Sequence, residues 1–158
     1  MAIEPCLEPR FKKWLGVKYL TTDLFNPHAM VTINITNIEY PDQSFEIIYC
    51  SHVLEHFQNG KKAIRKFPSV MKDNGWSILF ISIYAEKTFD KPFKVEYAER
   101  LKAFGQEDHV RRYDPNYINI LHEIGCSIEL TKFIIFFQKA EAIRIGLIAS
   151  GSIYYCSM

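Results

Sequence analysis

The 158-residue sequence predicts an α/β domain with a mostly parallel sheet between two layers of helices. Two observations support this prediction. Two near-continuous apolar runs, Phe45–Cys50 and Trp76–Ile83, have the composition of strands that are covered on both faces. Between them lies Lys61–Met71, in which apolar residues recur at helical spacing.

The elements before the first apolar run are short. Glu8-Pro9 is a favourable helix start because proline suits the first helical position, and Gly16 marks the end of that helix. Val17–Thr21 and Met30–Ile33 then read as two short strands.

The second half of the chain is less regular. Residues 84–112 show no clear period, so we expect most of them to form a long lid-like loop. Asp114 opens another helix, which Gly125 closes. Cys126–Phe137 and Ile153–Ser157 are typical of strands.

Composition places the chain in an ordinary class. Residues 1–158 fit one domain with 48% apolar residues and a net charge of +1, which gives no basic footprint for nucleic acid or an acidic membrane. No apolar run approaches the length of a membrane span. Four cysteines lie far apart without a C-x-x-C pair, so we expect reduced thiols and a cytoplasmic protein.

The most informative segment is the end of the Phe45–Cys50 strand, where Ser51 and His52 follow. Ligands of open α/β sheets bind outside the carboxyl ends of the strands, so these residues are candidates for a binding site. The next residues also complete a His52-x-x-Glu55-His56 pattern, in which a helix would place both imidazoles on one face to hold zinc. A zinc hydrolase is therefore a remote alternative, although we expect no resident metal.

Six segments, in chain order, resemble class I S-adenosylmethionine (SAM)-dependent methyltransferases of the type 11-like group. The first is similar to a loop that some such proteins carry in place of a glycine-rich loop. The segments are residues 2–11, Tyr19–Asp23, Asn34–Ile38, Phe45–His56, Met71–Trp76 and Phe104–Tyr113. The resemblance implies a Rossmann-like methyltransferase sheet in a three-layer α/β/α arrangement, mostly parallel with an antiparallel last strand. The first strand of that fold is expected to be truncated.

The resemblance also implies a set of residues that border SAM. They are Glu4, Asp23, Asn34, Ile35, Ser51 and His52. An acidic residue about 20 residues after the first loop accepts hydrogen bonds from ribose hydroxyls, and Asp23 fits that spacing from Glu4. Alternatives stay open: Asp23 and Asn34 as turn residues, Ile35 as plain core, and both His52 and His56 as hydrogen-bonded structural residues.

The Asp108–Tyr113 segment is the candidate for the substrate side. Asp108, Arg111, Arg112 and Tyr113 can contact a methyl acceptor, and His109 is the candidate base. Equally, the arginines can hold the long loop against the sheet.

We therefore expect a SAM-dependent methyltransferase that acts on a small-molecule or other methyl acceptor, with no membrane or nucleic-acid partner. Two departures from the family pattern, the truncated first strand and Pro68 inside a helix, leave an inactive alternative open. That alternative is a cofactor-free, methyltransferase-like scaffold that forms a homo-oligomer through its exposed sheet edge.

Overall fold

The computed structural model describes residues 6–81, 83, 86–90, 96–132, 140–141 and 152–157. The α-helices within these residues are α1 Glu8–Leu15, α2 Gly60–Val70, α3 Tyr97–Phe104 and α4 Tyr117–Glu123. The strands are β1 Thr22–Asp23, β2 Val31–Thr32, β3 Phe45–Ser51, β4 Met71–Phe80, β5 Phe89–Asp90, β6 Arg111–Arg112, β7 Ser127–Lys132 and β8 Ser152–Ser157. Two 3-10 turns, Gly16–Lys18 and Leu54–His56, follow α1 and β3.

The largest described sheet has the strand order β3-β4-β8-β7. β3 and β4 run parallel, while β8 is antiparallel to both β4 and β7. The predicted antiparallel last strand is therefore confirmed. The Cys126–Phe137 strand is confirmed as far as Lys132, and its remainder lies outside the described residues.

A second, two-stranded parallel sheet is formed by β1 and β2, in which Thr22 pairs with Val31. No described strand joins this pair to β3, so a gap separates the two sheets in the described part of the chain. The chain continues from β2 to β3 through Ile35 and Ile38, which are both buried in the same core as α2.

Helix α2 supplies much of the packing against the sheet. Asn59 caps it, since its side-chain oxygen accepts a hydrogen bond from the Lys62 amide at 3.2 Å. Its buried face repeats at helical spacing and consists of Ala63, Ile64, Phe67 and Val70. Pro68 lies inside the helix, as predicted, two residues before its end.

The prediction of a lid-like loop over residues 84–112 was wrong for much of that segment. β5 and β6 form an antiparallel pair, and α3 lies between them in the chain. α3 buries Arg100 and Phe104 but leaves Tyr97 and Leu101 exposed. Because Arg100 occupies a buried position of α3, the helical period is not visible in the pattern of apolar residues.

Two smaller expectations also need correction. The strand predicted to begin at Trp76 begins at Met71 instead, and its pairing is irregular opposite Phe45 and Ile47. Val17–Thr21 is not a strand, since a 3-10 turn occupies its first residues. Helix α1 has the predicted ends, yet none of its residues is buried and Trp14 is 70% exposed.

Candidate functional site

The carboxyl end of β3 carries an unusual backbone. Ser51 is buried as the last residue of the strand, and the His52 amide continues the pairing with a 3.0 Å hydrogen bond to the Phe80 carbonyl. His52 then takes φ = 46°, in the left-handed region that non-glycine residues rarely adopt. Its imidazole is 56% exposed, with Nδ1 3.4 Å from Oε1 of Glu55. Strain of this kind at a strand end is typical of binding sites.

Asp23 lies at the carboxyl end of β1, and its two carboxylate oxygens have different surroundings. Oδ1 accepts hydrogen bonds from the amides of Phe25 and Asn26, both at 2.9 Å. The turn-cap alternative is therefore realised for this oxygen. Among the described residues no donor reaches Oδ2, which leaves an acceptor at the sheet edge where a ribose hydroxyl would bind. The ribose role of Asp23 stays a prediction.

The adenine-side residues are placed less favourably for a cofactor. Oδ1 of Asn34 accepts from the amide and the hydroxyl of Thr36, at 2.9 and 2.8 Å, which uses both of its acceptor positions. Ile35 is only 3% exposed and belongs to the core. Their cofactor roles stay predictions. Glu4, the residue expected beside the methionine part of SAM, lies outside the described residues.

The histidines of the His52-x-x-Glu55-His56 pattern do not share a helix face. His52 precedes the 3-10 turn with a left-handed backbone, and only Leu54–His56 are in the turn. The helical premise of the zinc-hydrolase alternative was therefore wrong. Glu55, between the histidines, is fully buried.

The turn instead brings His56 against the segment before β6. The Val110 amide donates to the Glu55 carbonyl at 2.9 Å, which joins the two backbones. As a result Nδ1 of His56 lies 3.2 Å from Oδ2 of Asp108, and the His56 and His109 rings meet edge to face with centroids 4.7 Å apart. Asp108 and His109, which were predicted for the substrate side, thus lie beside His56 of the zinc pattern, a residue far from them in the sequence.

His109 is suited to act as a neutral imidazole. It is 7% exposed, and burial lowers its pKa, with the neighbouring His56 lowering it further. A neutral ring can accept a proton from an acceptor group. The carboxylates of Glu55 and Asp108 act in the opposite direction and limit the lowering.

The other residues predicted for the substrate side have different surroundings. Arg111 donates to both oxygens of Asp90 and to the Gln58 carbonyl. Tyr113 is 1% exposed, with its hydroxyl 3.5 Å from the Leu54 carbonyl. Arg111 therefore holds the segment in place, as the alternative interpretation of the arginines expected, and Tyr113 is part of the core. Asp108 is 66% exposed, and Arg112 is half-buried with no ion pair among the described residues.

A separate open groove of about 570 Å³ lies near the amino ends of β3 and β4. Its lining includes Glu46 and Lys72, which form a 2.8 Å ion pair, together with Trp76. It contains none of the predicted site residues. Because ligands of parallel sheets bind at the opposite, carboxyl edge, we do not assign the cofactor to this groove.

No helix among the described residues has the length and apolarity to cross a membrane.

Comparison with known proteins gives a consistent result. The family model described as "Methyltransferase domain" matches residues 2–131. The uncharacterized methyltransferase YcgJ of Bacillus subtilis (strain 168) is 32% identical over 75 residues, which cover 48% of this chain and 28% of that protein. The matched segment thus spans less than a third of this curated relative's length.

Solved structures share the fold at low identity. A SAM-dependent methyltransferase from Mesorhizobium loti has a TM-score of 0.66 at 15% identity, covering 96% of this chain and 85% of that one. A SAM-dependent methyltransferase from Archaeoglobus fulgidus has a TM-score of 0.59 at 14% identity, covering 96% and 80%. A Burkholderia thailandensis 1,6-didemethyltoxoflavin-N1-methyltransferase, solved with bound S-adenosylhomocysteine, has a TM-score of 0.56 at 7% identity, covering 99% and 57%. These likenesses confirm the predicted Rossmann-like methyltransferase fold.

Proposed function

This chain belongs to the methyltransferase-domain family, and on that premise we propose that it transfers the methyl group of SAM to an acceptor at the carboxyl edge of its sheet. SAM is the cofactor of this family of class I enzymes. The observation that supports the proposal most directly is the half-engaged carboxylate of Asp23. Oδ1 is committed to the turn, while no described donor reaches Oδ2.

The residues of this chain divide the work of binding. Asp23 accepts from the ribose, and Ser51 with the following His52 borders the cofactor where β3 ends. SAM supplies a methyl group that is already activated on a sulfonium sulfur. The chain then has to hold the acceptor in line with that methyl group and keep water away.

The acceptor side is formed by the segment that carries Asp108 and His109. His109 is the proposed base for an acceptor that carries a proton at neutral pH, because its ring is buried and burial lowers its pKa, which favours the neutral form. Asp108 and Arg112 are accessible enough to contact a small-molecule acceptor. A cytosolic location is part of the proposal and rests on the four free cysteines.

Calorimetric titration with SAM and S-adenosylhomocysteine tests the proposal. We expect one binding site in the wild-type chain and at least an about tenfold weaker affinity in Asp23→Asn, a loss of about 1.4 kcal/mol. Asp42→Asn is the matched control, since Asp42 is an exposed aspartate in a turn away from the edge. No heat with either ligand, or equal affinity in both variants, would contradict the proposed function.

The gap between β1 and β3 favours one second candidate, a methyltransferase-like scaffold that pairs through its open sheet edge. β3 forms the edge of its sheet among the described residues, and its Ile47 is 38% exposed. The proposed partner is a second copy of the chain. Sedimentation equilibrium should then show a dimer that Ile47→Lys dissociates, and a monomer at all concentrations would reject this candidate.

A further inference from the structure

The His56, Asp108 and His109 cluster has the composition of a metal site. One ligand atom from each residue lies within 4.8 Å of the other two. Two imidazoles and one carboxylate form a donor set that zinc binds in proteins, with a fourth position left for water. The cluster is open to ions because Asp108 is 66% exposed and His56 is 30% exposed.

Hydrogen bonds outside the cluster hold its two halves together. The Val110 amide donates to the Glu55 carbonyl at 2.9 Å, immediately beside His109 and His56. On the other side of Asp108, Nε of the buried Arg100 donates to the Glu107 carbonyl at 2.6 Å. The backbone that carries Asp108 and His109 is therefore fixed at both ends, as supporting contacts fix the ligands of known metal sites.

The distances require only a small movement. Tetrahedral zinc with bonds of about 2.1 Å places its ligand atoms about 3.4 Å apart. The 3.2 Å between His56 Nδ1 and Asp108 Oδ2 already meets this requirement. The remaining pairs, within 4.8 Å, can close by rotation of the exposed Asp108 and the half-buried His56 toward the buried His109.

The charges around the cluster favour a cation. Asp108 contributes a carboxylate, and the buried carboxylate of Glu55 acts electrostatically on His109. Arg111 follows in the chain, but its guanidinium is already paired with Asp90.

We propose that His56, Asp108 and His109 bind one divalent transition-metal ion, of which zinc matches the donor set best. This site uses His56 without His52, so it differs from the helical pair that the sequence pattern suggested. In the metal-bound state His109 serves as a ligand and not as a free base. The site does not depend on methyl transfer and is measured without SAM.

Zinc titration calorimetry on the full chain, without an affinity tag, tests this site. We expect one equivalent to bind to the wild-type chain, with affinity lowered more than about tenfold in His56→Ala and in Asp108→Asn. Asp108→Asn removes an exposed charge at nearly constant shape, so its fold should persist, and circular dichroism checks this. A visible cobalt spectrum without thiolate charge-transfer bands should accompany binding.

Three variants serve as controls that should keep the wild-type affinity. His122→Ala removes an exposed histidine of α4, Cys6→Ser removes the exposed thiol, and His52→Ala tests the sequence pattern directly. The proposal is overturned by an absence of binding, or by a folded Asp108→Asn that binds zinc as the wild type does. Loss of zinc in Cys6→Ser or in His52→Ala would also overturn it, since the ligands would then lie elsewhere.

Discussion

Both carboxylate oxygens of Asp90 accept hydrogen bonds from the guanidinium of Arg111. The same guanidinium donates to the Gln58 carbonyl at 3.1 Å, just before helix α2. This one arginine thus ties β5 to β6 and connects both to the segment that leads into α2. These contacts lie within the segment predicted as a loop, much of which is formed by β5, α3 and β6, and they support the loop-holding alternative for Arg111.

Arg111→Lys should lower the free energy of unfolding by about 1 kcal/mol, because lysine cannot reproduce the two-pronged contact with Asp90. The fall in the free energy of unfolding is small because Asp90 is 54% exposed. Urea denaturation measures the change. Arg112→Lys is the control and should stay within about 0.5 kcal/mol of the wild type. Equal losses in the two variants would refute the assignment.

Asp114 should make stability depend on acid pH. A hydrogen bond from the Thr88 amide lowers the pKa of Asp114 below its ordinary 3.8, with the Asn116 amide adding to the effect. Since the folded-state pKa is lowered, the stabilisation is complete above the unfolded pKa and is lost as pH falls through the folded value. Melting temperatures at pH 7 and pH 2.5 should therefore differ less in Asp114→Asn than in the wild type. A fall in melting temperature between pH 7 and pH 2.5 that is as large in Asp114→Asn as in the wild type would contradict a role for these hydrogen bonds.

Gly60→Ala should destabilise the protein although alanine favours helices. A Cβ at this position would overlap the hydroxyl of Tyr113, whose ring is fully packed in the core. Overpacking of this kind costs about 1–3 kcal/mol. The same substitution in a Tyr113→Phe background should cost much less, because the colliding oxygen is absent. Thermal melts of the wild type, the two single variants and the double variant measure these costs. A melting temperature of Gly60→Ala equal to or above that of the wild type would contradict the expected overlap.

The two carboxylate oxygens of Asp23 should contribute differently to the stability of the fold. Asp23→Ala loses the acceptor of the Phe25 and Asn26 amides, so we expect the free energy of unfolding to fall by about 1 kcal/mol. Asp23→Asn keeps an oxygen for those amides and should unfold like the wild type in urea. If Asp23→Asn unfolds as easily as Asp23→Ala, the weaker SAM binding expected of it could not be assigned to Oδ2.

The sequence predicted the elements that have a strong period. β3 and β4 were recognisable as long apolar runs, and α2 as a helix with a buried face. α3 was missed because Arg100 takes a place in its buried stripe, and β5 and β6 because two residues show no alternation. Tertiary contacts decide such elements.

The candidate site was predictable only in part. Strand ends place Asp23, Ser51 and His52 at the carboxyl edge, which the alternation of strands and helices already implied. The contact of His56 with His109 joins residues 53 positions apart through a single backbone hydrogen bond, and no local pattern indicates it. Oδ1 of Asn34 accepts two hydrogen bonds within a turn, and the side-chain rotamers of that turn cannot be read from a sequence.

Amide hydrogen exchange with and without S-adenosylhomocysteine tests most directly the claim that the carboxyl edge binds the cofactor. We expect slower exchange at Thr22–Phe25 and at Ser51–Val53, where β1 and β3 end. The amides of the groove beside Glu46 and Lys72 should exchange at an unchanged rate. Protection confined to that groove, or no protection at either strand end despite saturating ligand, would contradict cofactor binding at the carboxyl edge.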